Sequence, residues 1–275
     1  MRWPPSATRI FILLAVSAYT VLAGGPVAWL VTMSLRTTSE ISANPYGAPW
    51  PIHWEKYAAA WTTSNYGTYF WNSAVIVLTA VALVTLVGSL VAHGLARYRF
   101  RGNRFVHMAL FSAIIFPPQL TIISLFQVLV EYHLFNTRMG VMLVYAAIQL
   151  PLTFYLLESF FAQIPQDYFD AARIDGCSDY GLFWRITVPL GLPAIATTVI
   201  LNLIDLWNEF LYAVVLLTED EKRTLPLGIM KFMGDQLQDI GMIATGMMIS
   251  VLPIIAIYVF FSERLIRGMT ASVLK

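Results

Sequence analysis

Charge is scarce in this chain. Asp, Glu, Lys and Arg make up 12% of its 275 residues, about half of what a soluble domain carries. Cysteine is nearly absent. Cys177 stands alone, so neither a disulfide framework nor an intrachain pair of cysteine metal ligands can form. There is no Gly-x4-Gly-Lys-Ser/Thr loop, no His-Glu-x2-His helix and no Cys-x2-Cys pair, hence no recognisable nucleotide or zinc site. Internal repeats and low-complexity stretches are missing too. What remains is apolar: 58% of residues are hydrophobic and the mean hydropathy is +0.67. The apolar runs are continuous rather than alternating, which excludes a β-barrel. They predict an all-α polytopic membrane protein.

Six spans are expected: Ile10–Leu35, Trp71–Leu95, Phe105–Val130, Gly140–Phe161, Ala194–Leu217 and Met242–Phe261. Each can cross about 30 Å of hydrocarbon at about 1.5 Å per residue. They form a single transmembrane domain over 1–275. Arg2 and Arg9 before Ile10–Ala23, with Gly24-Gly25 after, also fit a cleaved signal peptide. The apolar run continues through Pro26–Leu35, longer than a signal core, and favours an uncleaved first span. Basic residues set the direction. Arg2, Arg9, the four arginines of 97–104, Arg173, Arg185, Arg264, Arg267 and Lys275 fall on one side, eleven of the 17. That side, with both termini, is expected to be cytoplasmic.

The first exterior loop, Arg36–Phe70, carries Pro45, Trp50, Pro51, Trp54, Tyr57, Trp61, Tyr66 and Tyr69. Two readings stand together: an aromatic belt at headgroup level and a docking surface for an outer partner. His53–Trp61 reads as a short helix lying in the interface. The last exterior loop, Thr218–Gly241, is too long for a simple hairpin. His93 and His107 flank the arginine loop and read as interfacial. Met242, Met247, Met248 and Phe11 read as packing or lipid contacts.

The inner loop over 162–193 is polar. Pro165 and Asp167 suit a helix start. Ala171 and Ala172 permit close approach. Gly176 can take the left-handed conformation that ends a helix, and Ser178 or Asp179 can cap a second one, Tyr180–Thr187. Pro189 is expected to stop it. The product is two short helices at an angle, which serve either as a docking elbow or as an ordinary amphipathic connector.

The residues Asp170-Ala171-Ala172-x3-Gly176-x9-Ile186-x-Val188-Pro189 closely resemble the EAA loop of ATP-binding cassette importer permeases, Glu-Ala-Ala-x3-Gly-x9-Ile-x-Leu-Pro. Asp170 replaces Glu and Val188 replaces Leu. Trp207-Asn208-Glu209-Phe210 is similar to a segment of carbohydrate-type permeases. The tail from Gly268 to Lys275 resembles the Gly-Leu-Thr-Ala-Gly-x-Val-Lys ending of maltose-importer G-type permeases, with Met269 for Leu and Ser272 for Gly. The resemblance covers nearly the whole chain. It implies a type I importer permease fold, with six transmembrane helices and a cytoplasmic EAA coupling helix, in a prokaryotic inner membrane. It also implies partners: a second homologous permease, two ATPase subunits and an extracytoplasmic solute-binding protein, with a sugar-like substrate and no nucleic acid. This chain would hold no cofactor and no metal and would carry no catalytic residue. ATP and Mg would bind the partner ATPases. Asp170, Ala171, Ala172, Gly176, Ile186 and Pro189 would form the ATPase-coupling element. Thr270, Ala271 and Lys275 in the tail 262–275 would give a C-terminal ATPase contact.

Carboxylates inside a span are costly, about 2.5–3.5 kcal/mol each near the centre. Asp205, Asn208 and Glu209 fall within one turn of the expected fifth span and share a face. Trp207 offers an aromatic plate to a sugar ring. Gln119 follows Pro117-Pro118, where a broken helix exposes backbone groups, and Gln149 before Pro151 is similar. These residues read either as a translocation path for a hydroxyl-rich solute or as hydrogen bonds between the two permeases. A competing function is a stand-alone ion-coupled transporter or membrane-embedded enzyme that uses Asp205 and Glu209.

Overall fold

The computed structural model describes residues 6–115, 117–233 and 239–270, with side chains except those of 6, 7, 118, 119 and 262–270. In chain order the helices are α1 (Ser6–Ser34), α2 (Thr38–Ala43), α3 (Glu55–Thr62), α4 (Tyr66–Arg97), α5 (Asn103–Ile115), α6 (Pro118–Glu131) and α7 (Arg138–Phe161). They continue as α8 (Gln166–Ile174), α9 (Asp179–Leu182), α10 (Val188–Trp207), α11 (Leu211–Leu216), α12 (Leu225–Gly228) and α13 (Ile240–Thr270). A π-helical turn, Phe183–Thr187, joins α9 to α10. No strand occurs among the described residues.

Among the described residues, five helical runs are long and apolar enough to cross a bilayer: Thr8–Ser34, Tyr66–Arg97, Arg138–Phe161, Asp179–Trp207 and Ile240–Phe261. The expected third span, Phe105–Val130, is not one helix. Its halves meet at 111°, and the number of spans rises to six only if the bent pair counts as one. Two adjacent prolines explain the break. Pro118 bars Pro117 from helical geometry, and Pro117 takes ψ 132. Pro118 then serves as the first residue of α6, where its missing N–H is harmless.

The helices fall into two compact units. One holds the residues up to Gly67 together with Gly228–Leu252; the other holds Thr68–Leu227 and the residues from Pro253.

In the first unit the end of α1 is closed by an ammonium group. Lys56 Nζ donates to the carbonyls of Ser34 (3.1 Å), Arg36 (2.5 Å) and Gly241 (2.8 Å). Thr245 Oγ1 donates to Ser34 O at 3.0 Å. The Ser34 and Arg36 carbonyls lie at and just past the last turn of α1 and lack helical partners. Lys56 is only 9% exposed, and burial lowers its pKa to about 8 against the pull of Asp239, Glu40 and Glu55. A Cβ on Gly241 would lie 2.7 Å from Arg36 O and 2.9 Å from Nζ, so glycine admits the amine. α2 opens with a capping box between Thr37 and Glu40, and Met33, Ile41 and Ala244 bury one another beside it. The short helix expected over His53–Trp61 appears as α3.

In the second unit α7 packs on α4 and α10 through Ala92, Phe154, Leu157, Phe161 and Ala194. Gly191 allows α10 to touch the Phe161 ring, which an added Cβ would strike. Asn202, buried in α10, donates to Thr153 Oγ1 of α7 at 2.8 Å. The segment after α11 is tied down. Asn72 Nδ2 donates to the carbonyls of Glu221 (2.8 Å) and Arg223 (2.9 Å), and Leu225 N–H donates to Ser73 Oγ at 2.8 Å.

Lys56→Ala would leave three carbonyls without their shared donor, at a cost of about 1–3 kcal/mol for the most buried of them. The expected outcome is a lower thermal unfolding midpoint for the detergent-solubilised protein. Lys222→Ala, which removes only a solvated pair with Glu219, should leave that midpoint nearly unchanged.

Candidate functional site

The polar loop folds into an elbow. Pro165 precedes α8 with φ −57, Asp167 lies in its first turn and Arg173 in its last, each charge matched to the helix dipole. The helix closes with a Schellman arrangement. Gly176 takes φ +80, its N–H donates to Arg173 O at 3.0 Å, and the Cys177 N–H donates to Ala172 O at 2.9 Å. Both spare carbonyls are thus used, and the positive φ favours glycine. Ser178 Oγ then accepts from the Gly181 N–H at 3.3 Å and starts α9.

The two faces of the elbow differ. Phe169 points inward and is 1% exposed. Asp170 and Ala171 are exposed and Ala172 is half-buried. Asp170 accepts from Gln166 Nε2 at 3.0 Å and lies 3.5 Å from the Arg173 guanidinium; such solvated contacts contribute little. Ile174 is 86% exposed and Tyr180 79%. The outer face of the elbow thus carries large side chains in the open, opposite the enclosed Phe169.

Pro189 does not stop the second helix, contrary to expectation. The Val188 N–H reaches back five residues to Phe183 O. This wider turn relieves the clash that a proline ring makes with the preceding turn. α9, the π turn and α10 therefore form one continuous helical run to Trp207. Ile186 lies half-buried within the π turn, and Pro189 is exposed just after it.

The elbow rests on the end of α4. The Arg97 guanidinium sits 4.1 Å from the centre of the Phe169 ring. It also donates to Ile164 O at 2.8 Å and to Phe161 O. His93 Nδ1 pairs with Thr187 Oγ1 at 2.8 Å, and its ring meets those of Phe169, Phe183 and Tyr98. Tyr98 OH donates to Asp179 at 2.7 Å. Burial, followed by this bond, raises the Tyr98 pKa. Sequence reasoning placed His93 at the interface and used Arg97 only for orientation. The structure buries His93 (5% exposed) and makes both part of the site. Their i, i+4 spacing, which puts a histidine and an arginine on one face at a helix end, was the available signal.

The polar end of α10 differs from expectation. The helix stops at Trp207 rather than running to Leu217, and Asn208 follows as its cap. Asn208 Nδ2 turns back to Ile204 O at 2.8 Å. Asp205 and Asn208 are exposed, and Gln149 Nε2 stands 3.5 Å from Asp205. Glu209 does not join them on one face. It accepts from Tyr145 OH at 2.7 Å and from the N–H groups of Tyr212 (2.8 Å) and Ala213 (3.2 Å), so it caps α11 and ties it to α7. Trp207 is 7% exposed and lies edge-on to Phe70 at 5.6 Å. The protein thus encloses most of the ring that was expected to offer a plate to a sugar. The side chains of Gln119 and Thr270, and all of Ala271 and Lys275, lie outside the described residues. No group of three potential metal ligands occurs among the described residues.

Known proteins are similar to this chain in sequence and in fold. The diacetylchitobiose uptake system permease protein NgcG of Streptomyces coelicolor is 36% identical over 249 residues, spanning 90% of this chain and 82% of that protein. The trehalose transport system permease protein SugB of Mycobacterium tuberculosis is 30% identical over 252 residues, covering 91% and 92%. A chain from the crystal structure of a bacterial ABC transporter involved in alginate import superposes with a TM-score of 0.81 at 22% identity, covering 96% of this chain and 99% of that one; the fold is therefore that of an importer permease. Residues 84–271 match the family described as "Binding-protein-dependent transport system inner membrane component". With the multi-pass helical architecture and the elbow already in place, this match is decisive: the chain belongs to that family of inner-membrane transport components.

Proposed function

We propose that the chain is one of two permease subunits of an ATP-binding cassette importer for a saccharide, and that α8 seats on a separate ATPase. The observation that carries this is the elbow: a helix stiffened at both ends, anchored inward by Phe169 and open outward at Asp170, Ala171 and Ile174. A helix built this way transmits a push, where a loose loop would absorb it. ATP and Mg would be handled by two ATPase subunits, and an extracytoplasmic binding protein would deliver the solute. Thr270, Ala271 and Lys275 would add a second ATPase contact. The arginine distribution supports a cytoplasmic position for both termini. The saccharide class is supported by the names of relatives, which specify diacetylchitobiose and trehalose. Asp205 and Asn208, exposed at the end of α10, together with Gln119, are the polar groups for the path, and Glu209 and Trp207 frame it.

The stand-alone ion-coupled reading requires a carboxylate free to exchange protons. Glu209 is committed to three donors, which leaves the exposed Asp205 as the carboxylate for that reading, and the open elbow would then have no use.

Gly176→Pro forbids the positive φ and removes the N–H bonded to Arg173 O. The expected result is normal membrane insertion with ATP-driven uptake lowered about tenfold or more, the scale of an ordinary coupling energy. Normal uptake by this variant would count against the mechanism. In proteoliposomes holding ATP, uptake should survive a protonophore; its collapse there would restore the ion-coupled alternative. Glu209→Ala strips acceptors from three donors, worth about 1–3 kcal/mol for those that remain buried. It should lower uptake and the unfolding midpoint together while the ATPase still co-purifies. Loss of uptake at an unchanged midpoint would assign Glu209 to solute contact instead. A thermal-shift screen of the cognate binding protein across oligosaccharides should find its stabilising ligand among them, and stabilisation only by non-carbohydrates would refute the solute class.

A further inference from the structure

We propose that the last two turns of α4, through Arg97 and His93, are the post on which the elbow stands, so that α4, α8 and α9 move as one body when the elbow is pushed. This rests on the coupling role proposed above and specifies where the displacement enters the bundle. The covalent route leads elsewhere: α9 runs through the π turn directly into α10, which makes α10 the obvious lever. The non-covalent contacts point to α4.

Four separate stretches of the loop converge on α4. The linker enters through Ile164 O, held by Arg97 at 2.8 Å. α8 enters through Phe169, whose ring lies under the same guanidinium. α9 enters through Asp179, bonded to Tyr98 at 2.7 Å. The π turn enters through Thr187 and Phe183, both on His93. One planar cation thus grips a carbonyl at the end of α7, a carbonyl of the linker and an aromatic face of α8. Arginine suits this use because its donors spread in a fixed plane whose face stacks on a ring.

Helix length agrees. α4 has 32 residues, about 48 Å at about 1.5 Å per residue, against about 30 Å of hydrocarbon. A helix this long projects beyond the bilayer core, and its Arg97 end carries the elbow. His93 adds a further sign of a constrained seat: its Nε2 is buried with no hydrogen-bond partner, so the ring is kept there by Thr187 and the surrounding aromatics rather than by full polar satisfaction. The neighbouring Arg99, Arg101 and Arg104 are exposed and supply an internal control of like charge.

The decisive measurement is a distance. In the full complex with ATPase and binding protein, Cys177→Ser removes the single native thiol, and Arg99→Cys with Asp167→Cys carries two spin labels, one just past α4 and one on α8. Between nucleotide-free and ATP-trapped states the separation should hold within about 2 Å, the size of an ordinary helix adjustment. A change of about 5 Å, one helical turn, would mean that the elbow slides past α4 and would overturn the inference. A second measurement is solute transported per ATP hydrolysed. Arg97→Met should lower that ratio about tenfold, Arg97→Lys should recover part of it, and Arg101→Met should leave it unchanged. A wild-type ratio in Arg97→Met would overturn the inference while leaving the coupling role intact. Should Arg97→Met fail to assemble, the label distance, which keeps Arg97, still decides. If the unmodified complex shows no nucleotide-driven uptake, the coupling role itself fails and this inference with it.

Discussion

The structure around the elbow depends on one half-buried cation. Arg97 lies at the end of α4, where a helix has spare carbonyls of its own and favours positive charge. It spends its donors on other segments, the end of α7 and the linker that follows. Its flat face covers Phe169. Breaking such a contact is expensive in a way that breaking a solvated ion pair is not, because the carbonyls left behind would have no ready replacement. The ion pairs on the outer surface of α8, Asp170 with Arg173, contribute far less to its position. The inner face fixes where the elbow is, and the outer face is left free to bind.

A second constraint shapes the membrane segments. Backbone that leaves helical geometry within a span must find partners inside the protein. The chain leaves helical geometry twice, at Pro117 and after Trp207. After Trp207 the satisfaction is explicit. Glu209 folds back onto the N–H groups that begin α11 and takes a phenol from α7 as well. A carboxylate that looks functional by composition is here the cap that makes a broken helix tolerable. It also leaves Asp205 and Asn208 exposed on the helix that precedes the break.

Much of this was legible in the residues. Continuous apolar runs gave the all-helical membrane class, and the spacing of Gly176 from Ala172 and Arg173 gave the end of α8 before any coordinates. The physics is local in both cases: side-chain hydrophobicity along one helix, and backbone freedom at one residue. What was hidden is non-local. Nothing near Arg97 in the sequence announces Phe169, which lies 72 positions on, or Thr187 beside His93. Helix ends were misread for a related reason. Pro189 is a stop signal by its own chemistry, but a π turn absorbs it. The fifth span looked continuous because hydropathy cannot register a break in the helix after Trp207.

The π turn completes the argument about stiffness. The π turn interrupts the regular hydrogen-bond ladder between α9 and α10, so a displaced elbow would be expected to flex there. Thr187 and Phe183, which lie inside that turn, are the very residues that His93 holds. The seat therefore clamps the compliant point as well as the rigid ones. A push on α8 that cannot be lost in the π turn must move α4, or break the contacts of Arg97 with Phe169 and the two carbonyls. The proposed response is motion of the whole helix with those contacts kept.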